Sequence, residues 1–254
     1  MVELKTTSEI DSMADAGAVV AEALREVVEY AKPGMPTVDL DRVAAAVLGR
    51  HGASSPFLDY HPQWASTPFP AVLCVSVNDA VVHGIPTGYR LADGDLVSVD
   101  FGATLRGWTG DAARSFIVGT PRAEDAALIE AADAALAAGI AAVRPGNRLG
   151  DVGHAIASTV REAGFSLLAD HGGHGIGRTM HEDPDVPNEG RPGKGMKLRP
   201  GLVIAIEPMV IADGTDEYCH DPDGWTLRTL SGARAAHSEH TVAVTADGAR
   251  ILTN

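Results

Sequence analysis

Two aspartates in consecutive apolar runs carry the first sign of chemistry. In Leu96-Val97-Ser98-Val99-Asp100-Phe101-Gly102, strand alternation puts Val97, Val99 and Phe101 on one face and Ser98, Asp100 and Gly102 on the other. A short polar turn leads to Trp108-Thr109-Gly110-Asp111-Ala112-Ala113-Arg114. A turn centred between Leu105 and Arg106 sets position 100 opposite position 111, where Cβ atoms stand about 5 Å apart. Carboxylates about 4 Å apart repel by roughly 4 kcal/mol at an effective dielectric near 20. A shared proton or a bound cation relieves the repulsion. Two exposed aspartates beside a turn would give the same pattern, so the pair alone leaves both readings open.

Three further stretches add ligand-type groups. Gly172-Gly173-His174-Gly175-Ile176-Gly177 crowds glycines around one histidine. Glycine is costly inside an element but lets backbones approach closely, so His174 reads as a ligand or catalytic group. The spacing is not that of a dinucleotide-binding loop. His181-Glu182-Asp183-Pro184 follows. Ala205-Ile206-Glu207-Pro208-Met209 places a carboxylate inside an apolar run, where it needs a cation or a donor. His237-Ser238-Glu239-His240-Thr241 opens the last strand and says little alone.

These residues need elements to hold them. Apolar spacing predicts amphipathic helices over residues 8–30 and 39–50, the first with Ser8 and Asp11 as a capping pair. A helical pattern also covers 123–143. Strands are expected within 72–82, 96–103, 108–118, 202–211 and 239–245. Residues 213–224, rich in Asp and Gly, are expected to be the least ordered. Helices and strands come in blocks, which predicts α+β with a largely antiparallel sheet. Residues 32–54 align without gaps on 144–166, with Pro33/Pro145, Gly34/Gly146, Asp39/Asp151, Ala45/Ala157, Gly52/Gly164 and Ser54/Ser166 identical. This predicts an internal duplication, two helix-pair-plus-strand halves around a pseudo-twofold axis, with the site near that axis.

Composition narrows the classes. The chain has 254 residues, 45% hydrophobic and 21% charged, enough for a sizeable core and unlike a disordered chain. The net charge of -14 argues against nucleic acid as a partner. No stretch is apolar enough for a membrane helix, and the opening residues lack a secretion signal. Two cysteines, Cys74 and Cys219, exclude a disulfide scaffold and a four-thiolate zinc site. Any metal must be held by oxygen and imidazole.

Taken in order, Val77-Asn78-Asp79-Ala80-Val81-Val82-His83-Gly84-Ile85-Pro86, Val99-Asp100-Phe101-Gly102, Gly110-Asp111-Ala112, Gly173-His174-Gly175-Ile176-Gly177-Arg178, His181-Glu182-Asp183-Pro184, Ile206-Glu207-Pro208-Met209 and Glu239-His240-Thr241 resemble the motifs of type I methionine aminopeptidases of the bacterial kind. The resemblance spans nearly the whole chain. It implies the pita-bread α+β fold as a single catalytic domain over 1–254, with halves at about 8–118 and 123–245. It implies Asp100, Asp111, His174, Glu207 and Glu239 as ligands of two divalent ions, Co, Mn or Fe(II), with a water between the ions as nucleophile. Glu207 would take that water's proton, and His83 and His181 would contact the scissile amide. The methionine pocket would draw on Cys74, Phe69, Met180 and Trp225, the last at its rim.

Two of these positions depart from the family pattern. Met180 stands where the family usually has Phe, and the 60–71 loop looks longer than usual. Acidic residues at 216–221 could hold a stray ion but read better as a solvated loop. Substrates implied are methionyl peptides and nascent chains with a small second residue. The resemblance further implies a cytoplasmic monomer that touches the ribosome transiently. Rival readings are a non-catalytic pita-bread binding protein, against which all five ligand positions stand, and a prolidase-like peptidase, against which the missing N-terminal domain stands.

Overall fold

The computed structural model describes residues 2–254. In chain order the elements are α1 (Thr7–Tyr30), α2 (Thr37–His51), β1 (Cys74–Val77), β2 (Ala80–Val82), β3 (Leu96–Leu105), β4 (Trp108–Ile117), α3 (Ala123–Ala142), α4 (Leu149–Glu162), β5 (Ser166–Leu167), β6 (Gly172–Gly175), β7 (Glu182–Pro187), β8 (Val203–Ile206), β9 (Met209–Ile211), β10 (Tyr218–His220), β11 (Leu227–Thr229), β12 (Ala235–His237), β13 (His240–Thr245) and β14 (Gly248–Ile251). Sheets run β1-β3-β4, β10-β11-β2, β12-β9-β5 and β14-β13-β8-β6-β7. The strand pairs are antiparallel throughout, as the block arrangement predicts.

The first helix pair backs the β1-β3-β4 sheet, and the second packs on strands of both the five-stranded sheet and the β12-β9-β5 sheet. Alternation along β3 sends Val97, Val99 and Phe101 into a core with Val20, Leu24 and Val27 of α1 and Leu40 and Val47 of α2. In the second half Ile204 and Ile206 of β8 meet Leu128 and Leu136 of α3 and Val152 and Ile156 of α4. The strand faces turned away from these cores are left for the acidic residues. The two aligned segments match in backbone detail. Gly34 N–H donates to Leu91 O at 2.6 Å and Leu91 N–H to Met35 O at 2.9 Å. The matching bonds are Gly146 N–H to Leu198 O at 3.3 Å and Leu198 N–H to Asn147 O at 2.7 Å. Both glycines have left-handed backbones, φ 89° and 98°.

Four local expectations are corrected. The capping box of α1 is Thr6/Glu9, two residues before Ser8/Asp11: Glu9 N–H donates to Thr6 Oγ1 at 3.4 Å, and Thr6 N–H to Glu9 Oε2 at 2.8 Å. The hairpin turn is Arg106-Gly107, both left-handed at φ 51° and 77°. Such a two-residue turn matches strand twist, so Leu105 pairs Trp108, Asp100 pairs Ala113 and Gly102 pairs Asp111. Asp100 and Asp111 are therefore diagonal on one face, not directly opposed. The 202–211 run breaks into β8 and β9 at Glu207-Pro208, because proline has no N–H for the ladder. Within 213–224, β10 pairs with β11, so that stretch is partly regular.

Helix α1 lies directly on β4 through glycine. A Cβ on Gly17 would sit 1.9 Å from Leu252 O, and one on Gly110 3.1 Å from Gly17 Cα. These obstacles are backbone and cannot swing aside. Gly17→Ala should cost about 1–3 kcal/mol by overpacking, more than the roughly 1 kcal/mol that helix propensity returns. Guanidinium unfolding should show a lowered midpoint, and an unchanged one would mean that the helix can lift off.

Candidate metal centre and its pocket

Three strands and two short breaks between strands deliver ligand-type atoms to one place. Asp100 and Asp111 come from the inner face of β3 and β4, and His174 from β6. Glu207 sits in the break after β8, where Asn188 Nδ2 donates to its carbonyl at 3.0 Å. Glu239 lies just before β13, its N–H donating to Ala113 O at 3.0 Å. Asp111, His174 and Glu239 offer ligand atoms within 4.8 Å of one another, and so do Glu207, His237 and Glu239. The glycines around His174 have a packing cause. A Cβ on Gly173 would meet Ala205 O at 2.1 Å, and one on Gly175 would meet Asp183 O at 2.1 Å. Only glycine lets β6 lie this tightly between its neighbours.

Asp100 Oδ1, Asp111 Oδ1 and Glu239 Oε1 are buried without hydrogen-bond partners. Unpaired buried carboxylates are unfavourable, and divalent cations would satisfy all three, so the donor set fits a metal. The protonation energetics agree. Burial first, then the charge of Glu207, raises Asp100 to about 7. Burial, followed by the charges of Asp100 and Glu207, pushes Asp111 well up. Burial and the charges of Asp111, Glu207 and Asp100 do the same to Glu239. Glu207 differs. Burial raises it, but the imidazoles of His237, His174 and His181 close by outweigh this and hold its carboxyl below the ordinary value.

The histidines divide by tautomer. His174 Nδ1 lies 2.9 Å from Gly175 O. A carbonyl only accepts, so Nδ1 carries the proton and Nε2 presents a lone pair, the form a metal ligand needs. That Nε2 is 3.6 Å from Glu207 Oε1. His83 and His181 are each lowered to about 4, mainly by burial, and are neutral near pH 7. His181 Nδ1 is 2.9 Å from the Tyr60 hydroxyl; with the hydroxyl as donor, the ring proton sits on Nε2. His83 has a left-handed backbone, φ 60°, unusual for a non-glycine residue and typical of functional positions.

A cavity of about 790 Å³ adjoins the acidic cluster, and Phe69, Cys74, Met180 and Trp225 are among its lining residues. Phe69 meets Trp225 edge-on with centroids 5.1 Å apart. Cys74 pairs with Asp100 across the β1-β3 ladder. Burial, reinforced by the charges of Asp100, Asp111 and Glu239, raises its thiol well above the ordinary value, so it acts as a small neutral wall. Trp225 is not a rim residue: it is 3% exposed, and its indole N–H donates to Thr67 O at 2.9 Å. The rim position falls instead to Trp64, 55% exposed, stacked on His83 at 6.1 Å and 23° and edge-on to Trp225. Trp64, Tyr60 and His237 were not singled out by sequence reasoning. Tyr60 and Trp64 lie in the long loop, whose contacts depend on tertiary folding. His237 had only its closeness to Glu239 as a signal.

The sequence profile of metallopeptidase family M24 matches residues 11–246. The chain belongs to family M24. This M24 chain is 52% identical over 260 residues to methionine aminopeptidase 1 of Mycobacterium tuberculosis (strain CDC 1551 / Oshkosh), covering 100% of this chain and 95% of that protein. It is 44% identical to the methionine aminopeptidase of Aquifex aeolicus (strain VF5), covering 99% and 98%. The crystal structure of methionine aminopeptidase from Rickettsia prowazekii superposes with a TM-score of 0.95 at 36% identity, covering 100% of both chains. Prolidase from Pyrococcus furiosus, 22% identical, shares the M24 fold at TM-score 0.75, with 99% of this chain but 65% of that one covered. Among the described residues no helix is long and apolar enough to cross a membrane.

Proposed function

We propose that this M24 chain removes methionine from the N-termini of peptides and nascent proteins, preferring a small second residue. The observation that carries the reading is the contact between two environments. A cluster of buried carboxylates with unpartnered oxygens opens onto an apolar pocket of Phe69, Cys74, Met180 and Trp225. An unbranched thioether suits such a pocket through sulfur–aromatic contacts. The substrate's α-ammonium, at the same end as the methionine side chain, is drawn to the acidic cluster, which favours cleavage at chain ends.

Asp100, Asp111, His174, Glu207 and Glu239 would hold the ions, and oxygen-rich ligation with one imidazole suits Mn, Fe(II) or Co. Two such ions supply Lewis acidity and lower the pKa of water. Glu207, held below the ordinary carboxylate value, is ionised at neutral pH and takes the proton of the attacking water. The water oxygen bonds to the methionyl carbonyl carbon, the C–N bond breaks, and Glu207 returns the proton to the departing amine. His83 and the Nε2–H of His181, backed by Tyr60, stabilise the charge that builds on the carbonyl oxygen. The same reading makes the chain one catalytic unit of two halves, 8–118 and 123–245, supported by the matched backbone bonds. With Mn or Co added, the protein should hydrolyse Met-Ala-Ser and leave Leu-Ala-Ser and Pro-Ala-Ser intact by chromatographic assay. Equal rates on all three would remove methionine from the assignment.

A further inference from the structure

The side chain of His237 is left without a role by the reaction just described. It is 2% exposed, and its Nε2 has no hydrogen-bond partner within ordinary geometry. A buried polar nitrogen is kept only where something meets it. The nearest charged atom is Glu207 Oε2, 3.5 Å away, at the outer limit of hydrogen-bond reach. Glu207 is thus bracketed by imidazoles, His174 beside Oε1 at 3.6 Å and His237 beside Oε2 at 3.5 Å.

The backbone of His237 is held at both ends. Its main-chain N–H donates to Ser115 Oγ at 2.9 Å, and the Ser115 hydroxyl donates to its carbonyl at 2.8 Å. The Ser115 proton is spent there, so Ser98, 2.8 Å away, donates to Ser115. His237 also pairs with Met209 across the β12-β9 ladder, and Ser238 N–H reaches Pro208 O at 3.3 Å. The chain just after Glu207 is strapped to the chain carrying His237, which is tied in turn to the hairpin that bears Asp100 and Asp111.

His174 must keep its lone pair on Nε2, because Nδ1–H is committed to Gly175 O. A second lone pair aimed at the other oxygen of an anionic carboxylate would be repulsive. We propose that His237 is a positioning residue of the metal centre: its Nε2–H donates to Glu207 Oε2, fixing the carboxylate so that Oε1 stays beside His174 for an ion. The proposal rests on the metal-centre reading above. It makes Ser98, Ser115 and His237 one relay that ties the orientation of Glu207 to the β3-β4 hairpin.

The test is calorimetric titration of Mn into chelator-treated wild type, His237→Ala and His237→Gln. Outer partners of metal ligands are worth about 10- to 100-fold in affinity. We expect His237→Ala to weaken Mn binding by that factor. The glutamine amide, which keeps an N–H donor, should restore most of it. Circular dichroism and a thermal melt in EDTA identify a variant that has simply failed to fold. Should His237→Ala fold poorly, His237→Gln still decides: near-native affinity supports a donor. Equal Mn affinity in His237→Ala and wild type overturns the proposal. So does a folded His237→Gln as weak as the alanine variant, because the ring nitrogen would then be a ligand in its own right. Wild type run in parallel on Met-Ala-Ser separates this outcome from failure of the functional reading, because Mn affinity is measured without turnover.

Discussion

His83→Ala and His181→Ala should each lower kcat on methionyl tripeptides by about 100- to 1000-fold, the usual cost of one lost oxyanion donor, with metal stoichiometry unchanged. Both rings line the cavity, and both are neutral at working pH. Neither belongs to the groups whose ligand atoms converge. A group that acts only on developing charge is felt in kcat and kcat/KM together. His174→Ala should behave differently. It removes a ligand-type imidazole whose tautomer is locked with its lone pair on Nε2, so metal affinity itself falls, and added metal partly restores turnover. Metal analysis and kinetics on the three variants at saturating Mn decide the matter. Metal lost from His181→Ala as readily as from His174→Ala would move His181 among the ligands.

Chelation should reverse the slope of stability against pH. In the metal-free chain Asp100, Asp111 and Glu239 bind protons more tightly folded than unfolded, since their values are raised from an ordinary 3.8 or 4.5. Such groups stabilise fully below the unfolded value, and the contribution is lost as pH rises through the folded value, about 7 for Asp100. His83 and His181, lowered to about 4, act in the opposite direction. Their stabilisation is present above 6.5 and is lost as pH falls toward 4. Above about pH 6.5 both imidazoles are neutral in either state, and the carboxylates alone set the slope. From there to about pH 8 the melting temperature in EDTA should fall. With excess Mn it should rise, because ligands bind as anions and ions held only by the folded state stabilise it. Asp111→Asn removes one of the crowded charges and should flatten the EDTA curve. Parallel curves with and without Mn would argue that no ion binds at the cluster.

The outline of the fold was legible because it depends on local signals. Gly34, Gly52, Gly146 and Gly164 punctuate the helices in both halves, and alternation in β3 separates Val97, Val99 and Phe101 from Asp100. The five ligand-type residues were legible as motifs, and the structure brings them together. The hairpin register was not, because it turns on whether Arg106 accepts a left-handed backbone, and an arginine gives no sign of that. The Glu207-Pro208 break was readable in principle, since a proline inside a strand run signals an interruption. Trp64 and Tyr60 were out of reach: what an aromatic ring in a loop touches is decided by where the loop lands. His237 was hidden for a related reason, because its bonds to Ser115 and its approach to Glu207 join segments distant in sequence.

The placement of Trp64 gives the molecule an intrinsic optical gauge. Of the three indoles, Trp225 is 3% exposed and Trp108 5% exposed, the latter under the Arg178 guanidinium 3.6 Å from its ring centre. Trp64 alone meets solvent, while its ring lies over His83 at the cavity mouth. Its emission is therefore the red-shifted and acrylamide-quenchable part of the spectrum. A peptide entering the cavity passes that ring and displaces water from it, so occupancy can be followed by fluorescence without a label. The Trp64→Phe spectrum supplies the baseline.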